Sequence, residues 1–270
     1  MSFGEWATLR GALIDLDGVV YSGSEPIAGG AAFLRQARAH GLRFLLVTNN
    51  STATPQVVAK RLACMGIEVA PSEVLTSGQA AAAFVRRHST PAARVQVIGE
   101  AGLLEAAREE GLTVSDGGAR AEWVVAGLDR AFTYEKLTVA TRAIRAGARF
   151  VATNADALLP IEGGQVIPGA GSIVAAIQTA TAVDPVVIGK PEPALFEHGL
   201  ARLGDLQAAQ VAMIGDRIDT DVLGGQRAGL RTVLALSGVT TAQQAELSAV
   251  RADAVVANLA AVADLLGWNA

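Results

Sequence analysis

The sequence has little of what several classes of protein depend on. It contains one cysteine, Cys64, so no disulfide can form within the chain. Basic residues form no stripe and the net charge is −4, which argues against nucleic acid as a partner. Apolar runs stop well short of the ~18 residues that suggest a membrane span, and the amino-terminal residues lack the basic region of a signal peptide. We therefore expect a cytoplasmic protein with no membrane partner.

Aromatic residues are also scarce, at 4% of the chain. Few rings are available for stacking, and this disfavours a site built on nucleobase stacking. In contrast, 51% of the 270 residues are hydrophobic and 18% are charged, which allows a substantial core in one large domain or two smaller ones. Cys64, in the apolar stretch RLACMGI, is expected to belong to such a core.

Short runs rich in valine, isoleucine and leucine alternate with helical segments along most of the chain. Examples are predicted strands at 43–47 and 211–214, and predicted helices at 29–40 and 194–203. This alternation is typical of an α/β fold with a doubly wound, mostly parallel sheet that helices cover on both faces. Such folds bind ligands at the carboxyl ends of their strands.

The run LIDLDGVV, residues 13–20, places two carboxylates at the end of a predicted strand. Extended backbone puts residues i and i+2 on the same side, so Asp15 and Asp17 should lie together. Two such carboxylates resist joint ionisation unless a cation or a proton lies between them. Gly18 would let the chain turn sharply and let a ligand approach the backbone. The pattern predicts a site for a hard metal ion, with a spare carboxylate for chemistry.

Two other predicted strand ends carry polar clusters. TNN, at 48–50, follows the apolar run FLLV, and a turn or a helix N-cap explains it by itself. GDRIDTD, at 215–221, follows the run VAMI and contains three carboxylates. One of these acids suffices to cap the following helix, and three of them suit a Mg²⁺ site. The acids are Asp216, Asp219 and Asp221.

Lys190, in VVIGKPEP, offers a fixed positive charge for a phosphate, although an ordinary surface lysine is the better explanation when the residue is taken alone. The segment is not a P-loop, because Pro191 stands where serine or threonine is needed. PGAG, at 168–171, lacks the third glycine of a dinucleotide loop, since Val174 occupies that position. This argues against a Rossmann dehydrogenase.

Taken in order, the motifs resemble the four motifs of haloacid dehalogenase (HAD) superfamily phosphatases: DxDG, a threonine at a strand end, lysine and GDxxxTD. The resemblance covers nearly the whole chain. It is most similar to the NagD-like, class IIA branch, which includes p-nitrophenyl phosphatases and phosphoglycolate phosphatases. The stretches that carry this likeness are GLDRAFTYEKL at 127–137, TNADALLP at 153–160, PGAGS at 168–172 and GKPEPALF at 189–196.

The resemblance implies a fold and a domain division. The core would be a doubly wound, mostly parallel, Rossmann-like HAD domain formed by residues 1–79 and 185–270. Residues 80–184 would form an inserted α/β cap of the class IIA type, since a segment of this length with its own βα pattern is no loop. The cap would close over the strand ends, exclude water and select the substrate.

The same resemblance implies a Mg²⁺-dependent phosphomonoesterase that hydrolyses small phosphorylated metabolites through an aspartyl phosphate. Asp15 would be the nucleophile, and Asp17 the general acid and base. Thr48 and Lys190 would complete the catalytic set and bind the phosphoryl oxygens. The other implied substrate-binding or phosphate-binding residues are Gly18, Asn49, Asn50, Asn154 and Asp156. The implied metal ligands are Asp15, Asp17 through its backbone carbonyl, Asp216 and Asp221.

Some assignments stay open at this stage. Asp219 has no implied role beyond a surface or capping acid. The cap segments around Asp129, at 154–156 and at 160–168 are candidates for contact with the leaving group, while turn formation explains TNAD equally well. The physiological substrate is undetermined, and the resemblance allows a homodimer formed through the cap.

Two other functions compete with this prediction. A phosphotransferase or phosphomutase could use the same aspartyl phosphate, although nothing in the sequence indicates a returning substrate. A non-catalytic metabolite-binding protein would be expected to carry a degenerate site, whereas every motif position is intact. A dehalogenase is disfavoured, because those relatives lack the second aspartate of the first motif, present here as Asp17.

Overall fold

The computed structural model describes residues 6–117, 120–160 and 165–268. Its contacts divide the chain into two compact units. The first unit comprises Met1–Thr48, Val58–Leu75 and Lys190–Ala270, and the second comprises Asn49–Val57 and Thr76–Gly189. The division into a functional core and a cap at 80–184 remains a prediction.

The elements alternate between strand and helix along the chain. The strands are β1 (Gly11–Asp15), β2 (Tyr21–Ser22), β3 (Glu25–Pro26), β4 (Arg43–Thr48), β5 (Val74–Thr76), β6 (Arg94–Ile98), β7 (Thr113–Val114), β8 (Trp123–Ala126), β9 (Arg149–Ala152), β10 (Leu158–Pro160), β11 (Val166–Pro168), β12 (Val186–Val187), β13 (Val211–Gly215), β14 (Arg231–Ala235) and β15 (Ala254–Val256). The helices are α1 (Gly30–Ala39), α2 (Pro55–Cys64), α3 (Ser77–Arg87), α4 (Ala101–Glu109), α5 (Tyr134–Arg145), α6 (Ala170–Thr181), α7 (Pro193–Leu203), α8 (Leu223–Arg227), α9 (Ala242–Leu247) and α10 (Leu259–Leu265).

The first unit is built on a sheet in which the described residues form six strands, in the order β5-β4-β1-β13-β14-β15. β1 pairs in parallel with β4 and β13, and β14 pairs in parallel with β13 and β15. The chain therefore builds outward from β1 in one direction and then, starting at β13, in the other. This confirms the predicted doubly wound α/β fold. The reversal of order lies between β1 and β13, where such folds bind ligands.

Helices cover both faces of this sheet. Ile14 of β1 belongs to a buried apolar cluster that includes Phe33 of α1 and Val262 of α10. The preceding residue, Leu13, lies against Gly199 of α7 on the opposite face. Every residue of β1 and β13 is buried, which explains why both read as continuous apolar runs.

The second unit contains a parallel sheet of its own, in the order β12-β9-β8-β6-β7, together with the antiparallel pair β10-β11. Its apolar core includes Val124, Phe150 and Ile177, from β8, β9 and α6. The predicted βα pattern of this stretch is thus confirmed.

One expectation about packing is wrong. Cys64 is exposed, whereas its apolar neighbours predicted a core residue. Ala59 and Leu62 form the buried side of α2, and Cys64 lies two residues beyond Leu62. Two residues correspond to about 200° around a helix, so its side chain points away from that side.

None of the helices in the described part of the chain has the length and apolarity that crossing a lipid bilayer would require.

Candidate active site

The candidate active site lies in the first unit, at the carboxyl ends of its two central strands. β1 ends at Asp15, and Asp216 directly follows the last residue of β13. Because these parallel strands are neighbours, the two aspartates emerge at the same edge of the sheet. Lys190 enters from the short segment before α7. The sheet order thus brings together residues that are far apart in the sequence.

Three buried carboxylates and one buried ammonium group form a cluster. Asp15, Asp216 and Asp221 each offer an oxygen, and these oxygens all lie within 4.8 Å of one another. Lys190 Nζ lies 2.8 Å from Asp15 Oδ1 and 2.7 Å from Asp221 Oδ1. With all four groups ionised, the cluster carries two more negative than positive charges. Such a surplus of buried negative charge favours a bound cation.

Asp216 is held by the segment that follows β14. The backbone N–H of Val239 donates to Asp216 Oδ2 at 2.6 Å. Gly18 and Gly238 approach so closely that a Cβ atom at either position would collide with this carboxylate. Its other oxygen, Oδ1, is buried and finds no hydrogen-bond partner among the described residues. A buried carboxylate oxygen without a donor is suited to coordinating a metal ion.

Asp221 reaches the cluster from a π-helical turn, Ile218–Val222. The backbone N–H of Arg217 donates to Asp221 Oδ2 at 3.0 Å, which fixes the carboxylate with its other oxygen toward Lys190. Asp219, in the same turn, is exposed and forms an ion pair with Arg217 at 2.8 Å. Asp221 therefore belongs to the buried cluster, whereas Asp219 forms an ion pair with Arg217 at the surface.

Burial and mutual repulsion shift the ionisation of this cluster. Burial raises the pKa of Asp15 well above its ordinary value, and the Asp221 and Asp216 carboxylates add to this effect. Burial also raises the pKa of Asp216, to about 6. Burial opposes the charge of Lys190, but the Asp15 and Asp221 carboxylates outweigh it and raise the lysine pKa. Lys190 therefore stays charged, and the carboxylates compete for protons and cations.

Asp17 lies outside the carboxylate cluster. It follows the end of β1 and is exposed, and its Oδ2 accepts a hydrogen bond from Tyr21 Oη at 3.0 Å. Partial loss of hydration raises the pKa of Asp17, and the hydrogen bond from Tyr21 offsets part of that rise. Gly18, next in the chain, has a φ of +83°, a conformation that favours glycine.

Thr48 is the last residue of β4 and is buried. It lies one residue beyond Val47, which is the β4 partner of Asp15 in the sheet register. The structure therefore places Thr48 at the same edge of the sheet as Asp15.

The predicted binding residues Asn49, Asn154 and Asp156 come together in the second unit. Asn49 Nδ2 donates to Asp156 Oδ2 at 3.0 Å, and Asn154 Nδ2 donates to the backbone carbonyl of Asn49 at 2.8 Å. Asn154 Oδ1 also accepts from the backbone N–H of Asp156. Asn50 is engaged locally, since its Oδ1 accepts from both the backbone N–H and the hydroxyl of Thr52. These contacts join the TNN and TNAD segments, a pairing that neither motif indicates by itself.

The other predicted cap segments have different environments. Asp129 is buried and forms an ion pair with Lys136 at 2.6 Å. Of the segment 160–168, residues 161–164 lie outside the described residues.

Comparison with known proteins identifies the family. A model of the haloacid dehalogenase-like hydrolases matches residues 12–113, and a HAD-hydrolase-like model matches residues 187–262. The 5′-nucleotidase YutF of Bacillus subtilis is 42% identical over 233 residues, which span 86% of this chain and 89% of that protein. The chain belongs to the haloacid dehalogenase-like hydrolases.

Solved structures agree with this membership. Glycerol phosphate phosphatase Rv1692 from Mycobacterium tuberculosis, in complex with magnesium, matches 94% of this hydrolase and 76% of its own chain, with a TM-score of 0.87 and 39% identity. NagD from E. coli K-12 matches 93% of this hydrolase and 97% of its own chain, with a TM-score of 0.86 and 30% identity. The predicted membership of the NagD-like branch is confirmed.

The motifs missed several residues that support the site of this hydrolase. Tyr21 holds Asp17, and Val239 holds Asp216. Ser77 donates its hydroxyl to the backbone carbonyl of Asn49 at 2.5 Å. The sequence does carry a signal that Tyr21 could reach Asp17, because Tyr21 lies four residues after it and three residues after the turn glycine, Gly18. Val239 acts through its backbone, so its side-chain type carries none.

The raised pKa of Asp216 predicts a dependence of stability on pH in the metal-free hydrolase. Between about pH 4 and pH 6 the folded state retains a proton that the unfolded state has lost. The free energy of unfolding should therefore fall as the pH rises through this range, by about 3 kcal/mol for a shift from 3.8 to about 6. In Asp216→Asn this contribution should be absent. Urea unfolding in EDTA, at several pH values, measures it.

The exposed Asp205 supplies the matched control for this measurement. Asp205→Asn should keep the wild-type pH dependence. An Asp216→Asn variant with the same pH dependence as the wild type would contradict the assignment.

Proposed function

We propose that the chain is a Mg²⁺-dependent phosphomonoesterase that acts on small phosphorylated metabolites through an aspartyl phosphate. The observation that carries this proposal is the buried cluster formed by three carboxylates and Lys190. Asp17 lies outside this cluster, two residues after Asp15 in the chain. This arrangement provides a nucleophile, a cation site and a separate carboxylate for proton transfer. Together these groups suffice to cleave a phosphate ester by covalent catalysis.

The names of the relatives support the reaction class and leave the substrate open. They include a 5′-nucleotidase and a glycerol phosphate phosphatase, the latter solved with magnesium. Their substrates share a phosphate monoester and differ in the leaving group. We therefore assign this chain to phosphate-ester hydrolysis and leave its metabolite unnamed.

Asp15 and Asp17 have different tasks in the proposed reaction. A carboxylate oxygen of Asp15 forms a bond to phosphorus while the bond from phosphorus to the leaving oxygen breaks. Asp17 donates its proton to that oxygen, so the product leaves as a neutral alcohol or phenol. Asp17 then accepts a proton from the water that attacks phosphorus. The bond from Asp15 to phosphorus breaks, and inorganic phosphate, the Asp15 carboxylate and the protonated Asp17 result.

Other residues of the chain bind the transferring phosphoryl group. Lys190 is held by Asp221, so its charge stays directed at the neighbourhood of Asp15. Thr48, at the end of the adjacent strand, offers a hydroxyl, and the backbone N–H of Asn49 follows it. Fixed donors of this kind stabilise the phosphoryl oxygens without reorganising during the reaction.

The same residues fit a bound cation. Asp15, Asp216 and the backbone carbonyl of Asp17 would hold Mg²⁺, with Asp221 next to them. When bound, the ion would offset the repulsion between the nucleophile and the phosphate and neutralise charge in the transition state. The orphaned Oδ1 of Asp216 supports this assignment.

We assign substrate selection to the second unit, where Asn154 and Asp156 are the candidate contacts. A homodimer formed through this unit and a cytoplasmic location complete the proposal. No observation favours the phosphomutase or the non-catalytic alternative. Release of free phosphate without a sugar bisphosphate activator would exclude a mutase.

Replacing the nucleophile should abolish turnover. Asp15→Asn keeps the size of the side chain but is a poor nucleophile, and kcat for p-nitrophenyl phosphate should fall at least about a thousandfold. Borohydride reduction during turnover should convert Asp15 of the wild type into homoserine, which mass spectrometry detects. Asp205→Asn should keep full activity. Near-wild-type turnover by a folded Asp15→Asn variant would sink the nucleophile assignment.

Crowding Asp216 should weaken metal binding without removing a ligand. A Cβ atom at Gly238 would displace the Asp216 carboxylate, so Gly238→Ala should lower the affinity for Mg²⁺ about 10- to 100-fold in calorimetric titration. Gly30→Ala is the control, because a Cβ atom there meets its nearest neighbour at 3.4 Å. Equal Mg²⁺ affinity in the two variants would count against Asp216 as a ligand.

A further inference from the structure

The turn after β1 returns the chain so that Tyr21 faces Asp17. Gly18 takes a positive φ, and its backbone N–H donates to the carbonyl of Tyr21 at 2.8 Å. The backbone N–H groups of Val20 and Tyr21 both donate to the carbonyl of Leu16. This short stretch of sequence is thus folded into a closed loop. The loop sets the distance between the Tyr21 hydroxyl and the Asp17 carboxylate.

Tyr21 is packed in the core, whereas Asp17 is exposed. The tyrosine is 4% exposed and belongs to the main apolar cluster of the first unit. Asp17 is exposed and has no place in the carboxylate cluster. An exposed carboxylate can adopt several rotamers, and only some of them face a bound substrate. The 3.0 Å hydrogen bond from Tyr21 restricts that choice. Burial raises the pKa of the Tyr21 phenol, so it remains a donor.

Arg61 of α2 packs against the ring of Tyr21. Its guanidinium carbon lies 4.6 Å from the centre of the Tyr21 ring, within cation–π distance. The same guanidinium donates to the backbone carbonyl of Gly23 at 2.6 Å. Gly23 lies between β2 and β3, the hairpin that carries Tyr21. Arg61 therefore contacts both the ring and the hairpin that bears it.

We propose that Tyr21 is a positioning residue for the proton-transfer step, holding the Asp17 carboxylate toward the leaving oxygen, and that Arg61 keeps Tyr21 in place. This inference rests on the proposed phosphatase function. Tyr21 keeps its own proton throughout. Its hydrogen bond occupies Asp17 Oδ2, and Asp17 Oδ1 gives a proton to the leaving oxygen and takes one from water.

This role makes a prediction that a purely structural role does not. A stable leaving group such as p-nitrophenolate departs with little help from an acid, whereas an alkoxide needs a proton as its bond breaks. Misorienting Asp17 should therefore slow the hydrolysis of alkyl phosphates much more than that of p-nitrophenyl phosphate. General loss of structure would slow both substrates alike.

The test compares kcat/KM for p-nitrophenyl phosphate, phenyl phosphate and glycerol phosphate. This ratio reports the steps up to formation of the aspartyl phosphate and excludes its hydrolysis, which is the same for all three substrates. Tyr21→Phe removes only the hydroxyl, and the buried ring is kept. Its kcat/KM should fall about tenfold or more for glycerol phosphate, less for phenyl phosphate and under about threefold for p-nitrophenyl phosphate. Tyr134→Phe changes the only other tyrosine, which is 82% exposed, and should match the wild type on all three substrates.

A second variant guards against misfolding of Tyr21→Phe. Arg61 is exposed, and Arg61→Gln should give the same order of losses, smaller in size. Arg35→Gln, at another exposed arginine of the first unit, should give none. The positioning role alone would be overturned by equal losses of kcat/KM on all three substrates. It would also be overturned if Tyr21→Phe, or Arg61→Gln, showed no loss. A wild-type protein that releases phosphate from none of the three substrates would overturn the proposed function and this inference with it.

Discussion

The burial of three carboxylates around a single lysine is the constraint on which the rest of the site depends. Each buried charge costs several kcal/mol of hydration, and removing one partner of such a group is more costly than removing an exposed one. The ion pairs of Lys190 with Asp15 and Asp221 offset part of this loss of hydration. The cluster keeps a surplus of negative charge, which favours the binding of a cation. A stable apolar core elsewhere in the first unit is needed to hold the cluster together.

The order of the strands makes the cluster possible. β1 and β13 are neighbours because the sheet reverses its winding there, and every strand paired with them runs parallel. Residues at the carboxyl ends of both strands therefore meet at one edge. Backbone groups then fix the side chains, as Val239 does for Asp216 and Arg217 for Asp221. Asp17 lies just past the strand, where a turn and a buried tyrosine control it. In the proposed reaction, metal binding and proton transfer fall to neighbouring carboxylates that are held in different ways.

Much of the fold was predictable from pattern alone. The runs predicted as strands at 43–47 and 211–214 are β4 and β13, each one residue longer than predicted, since strongly apolar runs between turn residues have few alternatives. The sequence of segment 77–87 does not by itself predict the helix α3, because its alanines show little periodicity, although Thr76 and Gln79 form a capping box. Cys64 was misplaced because local hydropathy does not say which side of a helix a residue occupies.

By itself, the sequence determined the identity of the candidate site residues and the order of the motifs, because both depend only on residue types. Asp15, Lys190, Asp216 and Asp221 could be named from it, and the structure shows that they converge. Only the tertiary structure decided how each group is held. Tyr21 donates a hydrogen bond to Asp17, the guanidinium of Arg61 lies over the Tyr21 ring, and Asn49 donates a hydrogen bond to Asp156. The contacts of Asn49 with Asp156 and of Arg61 with Tyr21 join segments that are far apart in the sequence. The hydrogen bond from Tyr21 to Asp17 depends on a turn that backbone hydrogen bonds close. Such contacts follow from the packing of whole elements, which no local pattern encodes.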